Sequence, residues 1–330
     1  MTRTTLRWGL LSTARINDRL IPAIRATERA ELAAVASRDL ARAEAYAAEW
    51  DIPRAHGSYE ALLDDPDVEA VYVSLPNSLH AEWTIRAAQK GKHVLCEKPL
   101  AVSVDQCDQV MAAAESCGVV IAEAVMYLYH PLLQQLQGLV KKGAVGQVTL
   151  VRGAFSFFLD RLNDVRWRPE LGGGSLWDVG SYPVSFIRWV AGEPEEVFGW
   201  QTLTSSGVDA TFAGLLRYDN GVLGVMDCGF RQQFRVQAEV TGTEGTLILQ
   251  RPYLMNAESR IVWQRGLDQE EVITSPETNP YHCEVRAFTE AVLDGAPLPV
   301  SLESSRANVA TLAALYGSAR EGQPRRVSVW

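Results

Sequence analysis

Leu6-Arg7-Trp8-Gly9-Leu10-Leu11 runs directly into Ser12-Thr13-Ala14-Arg15-Ile16-Asn17, and this junction decides the fold. The first six residues form a short apolar run suited to a buried strand, and a tight turn follows it. In a dinucleotide-binding βαβ unit, this is where the first strand hands over to a helix whose N-terminus faces a pyrophosphate. Ser12 and Ala14 are small enough to let backbone approach a phosphate, although neither is the glycine of GxGxxG or GxGxxA. The fragment alone also fits an ordinary strand-to-helix turn, so the residues around it have to decide.

Further strand candidates lie at residues 31–36, 68–74, 93–96 and 119–122. Alanine-rich helical runs lie between them at 40–50, 80–90 and 104–116. Asp39 is placed to cap the first of these helices, and Gly91 and Gly118 to end the other two. Strand and helix in alternation predict a parallel, doubly wound sheet over residues 1–122. Past Glu123 the pattern changes. A helix at 131–142 is followed by alternating stretches at 148–159, 197–203, 211–218, 223–230, 237–241, 246–250 and 260–264. Asn220-Gly221 is a hairpin turn signal, and helices at 283–293 and 302–321 close the chain. Residues 123–330 therefore read as an α+β domain, a large and mostly antiparallel sheet with helices on one face.

Composition narrows the function. The 330 residues suit two domains, and a net charge of -9 argues against a nucleic-acid partner. No apolar run approaches the roughly 20 residues that span a bilayer, and no secretory leader is visible. The five cysteines show no CxxC spacing and read as reduced thiols of a cytoplasmic protein. The five histidines show neither HxH nor HExxH, so no metal site is expected. Arg161, Arg166 and Arg168 alternate with Asp160, Asp164 and Glu170, which reads as a solvated loop of mixed charge or, alternatively, as a loop part of which faces a substrate.

Two loops address a cofactor. The second strand ends in Ser37-Arg38, where an NAD-selective site would carry an acidic residue for the ribose 2′-hydroxyl. A serine and an arginine suit a 2′-phosphate, so NADP(H) is expected to be preferred, with NAD(H) also usable. After the third strand candidate, Ser74, Pro76, Asn77 and His80 lie at the carboxyl edge of the sheet, where Asn77 and His80 are candidates to bond ribose or diphosphate; alternatively, Asn77 starts the helix. A third signal is chemical. Glu97-Lys98-Pro99 and the later run from Gly172 to Tyr182 together supply Lys98, Asp178 and Tyr182. A phenol of pKa about 10 is a poor base at neutral pH, but a nearby ammonium favours its phenolate, which makes a Lys–Tyr pair an acid/base for an alcohol or carbonyl.

Ser12 to Ile16, Pro76-Asn77 with His80, Glu97-Lys98-Pro99, Glu123-Ala124 with His130-Pro131, Trp167-Arg168 and Gly172 to Tyr182 stand in the order in which the Gfo/Idh/MocA oxidoreductases carry such blocks, and the chain resembles that family along essentially its whole length. The resemblance implies an N-terminal Rossmann domain, a C-terminal domain with an open-faced sheet, and a homodimer or dimer of dimers built through that sheet. It implies that Ser12, Thr13, Ala14, Arg15, Ile16, Ser37, Arg38, Ser74, Pro76, Asn77, His80, Glu97 and Lys98 bind the cofactor, with Trp167 and Arg168 near its carboxamide. Many members have histidine where this chain has Tyr182; tyrosine there resembles the branch of glucose-fructose oxidoreductase, dimeric dihydrodiol dehydrogenase and NADP-dependent xylose dehydrogenases. In that branch Tyr182 corresponds to the acid/base, Lys98 to its electrostatic partner and Asp178 to the residue orienting substrate. The expected substrate is a sugar or polyol, with trans-dihydrodiol oxidation or reduction of an anhydro- or keto-sugar as alternatives. A non-catalytic NADP-binding sensor or corepressor is the alternative from another class.

Overall fold

The computed structural model describes residues 4–275 and 279–328. The chain divides into two compact units. One comprises residues 1–101, 105–129 and 279–305; the other comprises 102–104, 130–278 and 306–330. The division is therefore not the single cut after residue 122 that the sequence pattern suggests, because a late helix returns to the first unit. Among the described residues no helix is long and apolar enough to cross a membrane.

The first unit is built on strands β1 (Leu6–Leu11), β2 (Ala30–Ala36), β3 (Arg54–His56), β4 (Ala70–Val73), β5 (His93–Glu97) and β6 (Ile121–Ala124). They form a sheet of order β3-β2-β1-β4-β5-β6 in which every pairing is parallel. This is the doubly wound nucleotide-binding order, whose reversal between β1 and β4 opens a crevice at the strands' carboxyl ends. Helices α1 (Asn17–Ala26), α2 (Leu40–Glu49), α3 (Tyr59–Leu63), α4 (His80–Gln89) and α5 (Val104–Cys117) make the crossovers. Asp39 caps α2 by accepting the Arg42 N–H at 3.0 Å, as its position foretold. Gly91 and Gly118 both take positive φ, +71° and +63°, where a side chain would be strained. β3 and α3 carry too little periodicity to be read from sequence.

The second unit holds helix α6 (Pro131–Lys141) and strands β7 (Val148–Phe158), β8 (Glu196–Leu203), β9 (Asp209–Arg217), β10 (Leu223–Gly229), β11 (Arg231–Gly242), β12 (Thr246–Gln250), β13 (Arg260–Arg265), β14 (Gln269–Thr274) and β15 (Arg325–Arg326), with α7 (Ser181–Ala191) between β7 and β8. The sheet order is β14-β13-β12-β11-β7-β10-β9-β8-β15. β7 and β10 pair in parallel and the other neighbours antiparallel, with Asn220-Gly221 turning β9 into β10. Helix α7 lies on one face, where a Cβ on Gly153 would come within 2.7 Å of Pro183. Phe198, Trp200, Leu215 and Leu223 point to the opposite face, where Trp200 is 64% exposed.

Helices α8 (Pro280–Asp294) and α9 (Leu302–Glu321) follow. α8 belongs to the first unit because its apolar side joins that unit's core: Val285 and Phe288 are fully buried with Trp8, Leu20 and Ile24, and the Trp8 and Phe288 rings lie 5.1 Å apart. Burial of side chains of this size is worth about 1.5–3 kcal/mol each, enough to fix where the helix docks.

Candidate active site

The phosphate-side turn compensates for its missing glycines with hydrogen bonds. Ser12 adopts φ +156°, which glycine reaches more readily than serine. Its hydroxyl accepts the Ala14 N–H at 3.1 Å and lies 2.8 Å from Ser74 Oγ. Ser74 Oγ donates to Asn17 Oδ1 at 2.9 Å, and the Asn17 amide donates back to the Ser12 carbonyl at 2.8 Å. Thus Ser12 and Ser74, both expected at the cofactor end, are joined, and the buried Asn17 that closes the ring went unnoticed in the sequence.

At the end of β2, Ser37 is buried and Arg38 exposed. Asp39 is committed to the α2 cap, so its carboxylate is turned into the helix. A second cation joins the first. Arg42 donates to the Thr13 hydroxyl at 2.8 Å, and the charges of Arg38 and Arg42 favour the phenolate of Tyr59, although burial, the larger influence, raises that phenol's pKa. Arg42 sits one helical turn after Arg38, a spacing that could have flagged it.

The Lys98-Pro99 turn is cis and is held on three successive residues. Glu97 Oε2 accepts the Lys98 N–H at 3.2 Å, His80 Nδ1 lies 2.7 Å from the Pro99 carbonyl, and Glu123 Oε1 accepts the Leu100 N–H at 2.9 Å. His80 Nε2 lies 2.7 Å from the Leu75 carbonyl. Both ring nitrogens of this buried histidine are therefore engaged by backbone, which corrects its reading as a bond to ribose or diphosphate: it braces one loop against another. Burial pushes its pKa down, against the pull of the two carbonyls. Glu97 also accepts the Tyr72 hydroxyl. Behind it on α8 stands Glu284, 1% exposed, whose pKa is pushed well above the carboxylate range by burial and by the charges of Glu97 and Glu123. Asn77 lies in a single turn of 3-10 helix, Asn77–Leu79, with Pro76 just before it.

In the second unit the run from Gly172 becomes a π turn, Leu176–Gly180, that leads into α7. π turns gather at functional sites because they shift side chains out of helical register. Asp178 sits in this turn and Tyr182 at the start of α7, both 8% exposed. The Tyr182 ring packs against both Phe155 and Tyr253, each 5.4 Å away between centroids, and these two stack on each other at 5.9 Å. Asp178 Oδ2 accepts Arg166 Nε–H at 2.5 Å, and Arg166 also reaches Asp164 at 3.2 Å. The mixed-charge loop is therefore only partly solvated: Arg161 and Arg168 are exposed, but Arg166 is turned onto Asp178. Trp167 donates from its indole to the Arg161 carbonyl at 3.1 Å and packs edge-on against Phe230.

These blocks match known proteins. Residues 6–125 match the oxidoreductase family with an NAD-binding Rossmann fold, and residues 133–248 match the GFO/IDH/MocA C-terminal domain. The chain belongs to the Gfo/Idh/MocA family of oxidoreductases. It is 41% identical over 325 residues to D-xylose 1-dehydrogenase (NADP(+)) 2 of Haloferax volcanii, covering 96% of this chain and 98% of that one. It is 35% identical over 244 residues to trans-1,2-dihydrobenzene-1,2-diol dehydrogenase of Bos taurus, covering 73% and 72%. Among solved structures, a 3-ketoreductase from Actinomadura kijaniata in complex with NADP and TDP-benzene superposes with a TM-score of 0.90 at 30% identity, over 95% of this chain and 98% of that one.

Proposed function

We propose that this oxidoreductase is an NADP-dependent dehydrogenase of a sugar or related polyol. In this reading Tyr182 is the acid/base, Lys98 favours its phenolate, and Asp178 orients the substrate hydroxyl. The observation that carries the reading is the Asp178–Tyr182 segment: a phenol held in a cluster with two other aromatic rings, following a carboxylate held by an arginine. A held phenol moves a proton to and from one fixed point, which is what general acid/base catalysis requires. Similarity to the NADP-dependent xylose dehydrogenase supports the substrate class. Solved variants of the related ketoreductase replace a tyrosine and a lysine, the residue types invoked here.

The residues at the end of β2 fit a 2′-phosphate. Arg38 and Arg42 supply two guanidinium groups, and the one carboxylate nearby, Asp39, is spent on a helix cap. NADP, when bound, would supply the hydride acceptor for the substrate carbon. The chain's part is to take the hydroxyl proton onto Tyr182 as the carbonyl forms. Ser12, Thr13, Ala14, Arg15 and Ile16, with Ser74, Pro76 and Asn77, line the phosphate and ribose side in this reading, and Trp167 and Arg168 approach the carboxamide. The apolar face carrying Phe198, Trp200, Leu215 and Leu223 pairs with a second copy, giving at least a C₂ dimer. Light scattering of the full chain at micromolar concentration tests this, and a monomer overturns it.

The function is tested by following NADPH formation with D-xylose, other aldoses, and trans-dihydrobenzenediol. Turnover of aldoses is expected to exceed turnover of the diol. Preference for the diol would move the assignment to dihydrodiol oxidation, and no turnover of any substrate, with NADPH still bound, would move it to a sensor.

A further inference from the structure

Asp209, the first residue of β9, is 1% exposed. Its Oδ2 accepts the Ser175 hydroxyl at 2.6 Å and the Leu176 N–H at 2.8 Å, while Oδ1 accepts the Tyr316 hydroxyl at 2.5 Å. None of the three donors is a cation. Burial pushes the carboxyl's pKa up, and the donors oppose that by stabilising the charge. Such an arrangement costs solvation and is kept only where the geometry it enforces matters.

That geometry is the start of the segment bearing Asp178 and Tyr182. Ser175 precedes the π turn and Leu176 is its first residue, so Asp209 holds the amide from which the turn begins. The approach to it is equally fixed. Gly173 N–H donates to the Arg168 carbonyl at 2.9 Å and Gly174 N–H to the Arg166 carbonyl at 3.0 Å. Gly174 takes φ +118°, and a Cβ there would stand 2.2 Å from Asp209 Oδ1. Only glycine at 174 lets the carboxylate come so close. Each residue of an α-helix turns by about 100°, so a slip of one residue at Leu176 would carry Asp178 and Tyr182 off their present faces.

We propose that Asp209 is a positioning residue for proton transfer: by receiving Ser175, Leu176 and Tyr316 it anchors the π turn to the rigid sheet and to α9, and thereby aims Asp178 and Tyr182. This rests on the reading of Tyr182 as the acid/base. Asp209 touches neither substrate nor cofactor in this role.

The test uses the full chain with the Asp209→Ala, Asp209→Asn and Tyr316→Phe variants, read by steady-state kinetics, NADPH fluorescence titration and amide hydrogen exchange. Misplacement of a reacting group by about 1 Å can lower turnover about 100-fold, and Asp209→Ala is expected to lower kcat by about that factor with NADPH affinity within about twofold of wild type. Asn keeps an oxygen for Ser175 and Leu176, so Asp209→Asn should hold kcat within about tenfold, as should Tyr316→Phe, which removes one donor. Exchange at residues 176–182 should quicken in Asp209→Ala and stay near wild type in Asp209→Asn. Wild-type kcat and wild-type exchange in Asp209→Ala would overturn the proposal. Should Asp209→Ala not fold, Tyr316→Phe decides: lowered kcat with faster exchange at 176–182 supports positioning, and wild-type values of both overturn it. Full activity of a Tyr182→Phe variant would instead defeat the acid/base reading, and the exchange measurement would still judge Asp209 as the anchor.

Discussion

Two loops, one from each unit, are held by different means. In the first, the turn at Ser12 is tied by neutral groups: two hydroxyls, one amide and backbone. In the second, the segment bearing Asp178 and Tyr182 is tied by charge, through Arg166 on Asp178 and through Asp209 at its start. A second contrast lies between two single buried carboxyls, one from each unit. Asp209 receives three hydrogen bonds; Glu284 Oε1, equally buried, receives none among the described residues. Charge with matched donors gives an aimed, stiff segment, whereas a buried carboxyl without donors is better off keeping its proton. Neutral ties suit a loop that must yield to a ligand, and charged ties suit a segment that must hold one geometry.

The strongest way to break the comparison is to remove the aimed group. Tyr182→Phe deletes one hydroxyl and leaves the ring packed against Phe155 and Tyr253. General acid/base catalysis contributes about 10²–10⁴-fold, so kcat should fall by that order while NADPH affinity stays unchanged. Wild-type turnover, with chemistry shown to be rate-limiting, would remove Tyr182 from the mechanism. If Lys98 supports Tyr182 as proposed, Lys98→Met should lower kcat in the same direction with NADPH affinity changed far less.

Arg166→Met tests whether charge is what holds the second unit's segment. The guanidinium lies against Asp178, and Asp178 and Asp164 push its own pKa above the usual value. Its loss should cost about 10–100-fold in kcat/KM through misorientation. It should also move the acid limb of the pH profile upward, since a carboxylate without its cation takes up a proton sooner. Arg166→Lys keeps the charge and loses the fork, so it should restore the acid limb more fully than the rate. An unchanged profile in Arg166→Met would mean that the pair is ornamental.

In the first unit the corresponding probe is Arg38→Ala. A charge-assisted bond is worth about 1.5–3 kcal/mol, so NADP affinity should fall by roughly one to two orders of magnitude and NAD affinity far less. Arg42 stands in the same field, and the double variant should lose most of the remaining preference. The check is kcat/KM for both cofactors, and equal use of NAD by the wild type would sink the assignment.

What could be read from the sequence was whatever lies close together along it. The βαβ junction at Leu6–Asn17, the Asp39 cap and the hairpin at Asn220-Gly221 each announce themselves in a few consecutive residues. Asn17, Tyr253, Asp209 and Glu284 do not, because their partners are supplied by topology: Asp209 meets Tyr316 across 107 positions. Arg166 was misread for a related reason. Its neighbours alternate in sign, which resembles a solvated loop, and only the fold reveals that Asp178 captures it. His80 misled in the opposite way, since a histidine at the carboxyl edge of a sheet looks available until both its nitrogens are found on carbonyls. β3 and β14 escaped because one is three residues long and the other an exposed edge rich in glutamate.

The smallest effect concerns Glu284. Its folded pKa is raised well above the ordinary value by burial and by Glu97 and Glu123. A carboxyl raised in this way gives its full contribution to stability below its unfolded pKa of about 4.3, and loses it progressively as pH rises toward the folded value. The folded chain must either keep the proton that the unfolded chain releases or bury a charge. Glu284→Gln presents a neutral group of the same shape and escapes that linkage. Wild type and variant should therefore melt at similar temperatures near pH 5, while at pH 8 the variant should melt higher by a few degrees. Asp209→Asn offers the contrast: burial raises that carboxyl too, but three donors oppose the rise and an amide has only one oxygen to accept them, so the variant should have a lower Tm at both pH values. A Glu284→Gln variant that is less stable than wild type at pH 8, or a difference that does not change with pH, would show that Glu284 is ionised in the fold and would erase the distinction between the two buried carboxyls.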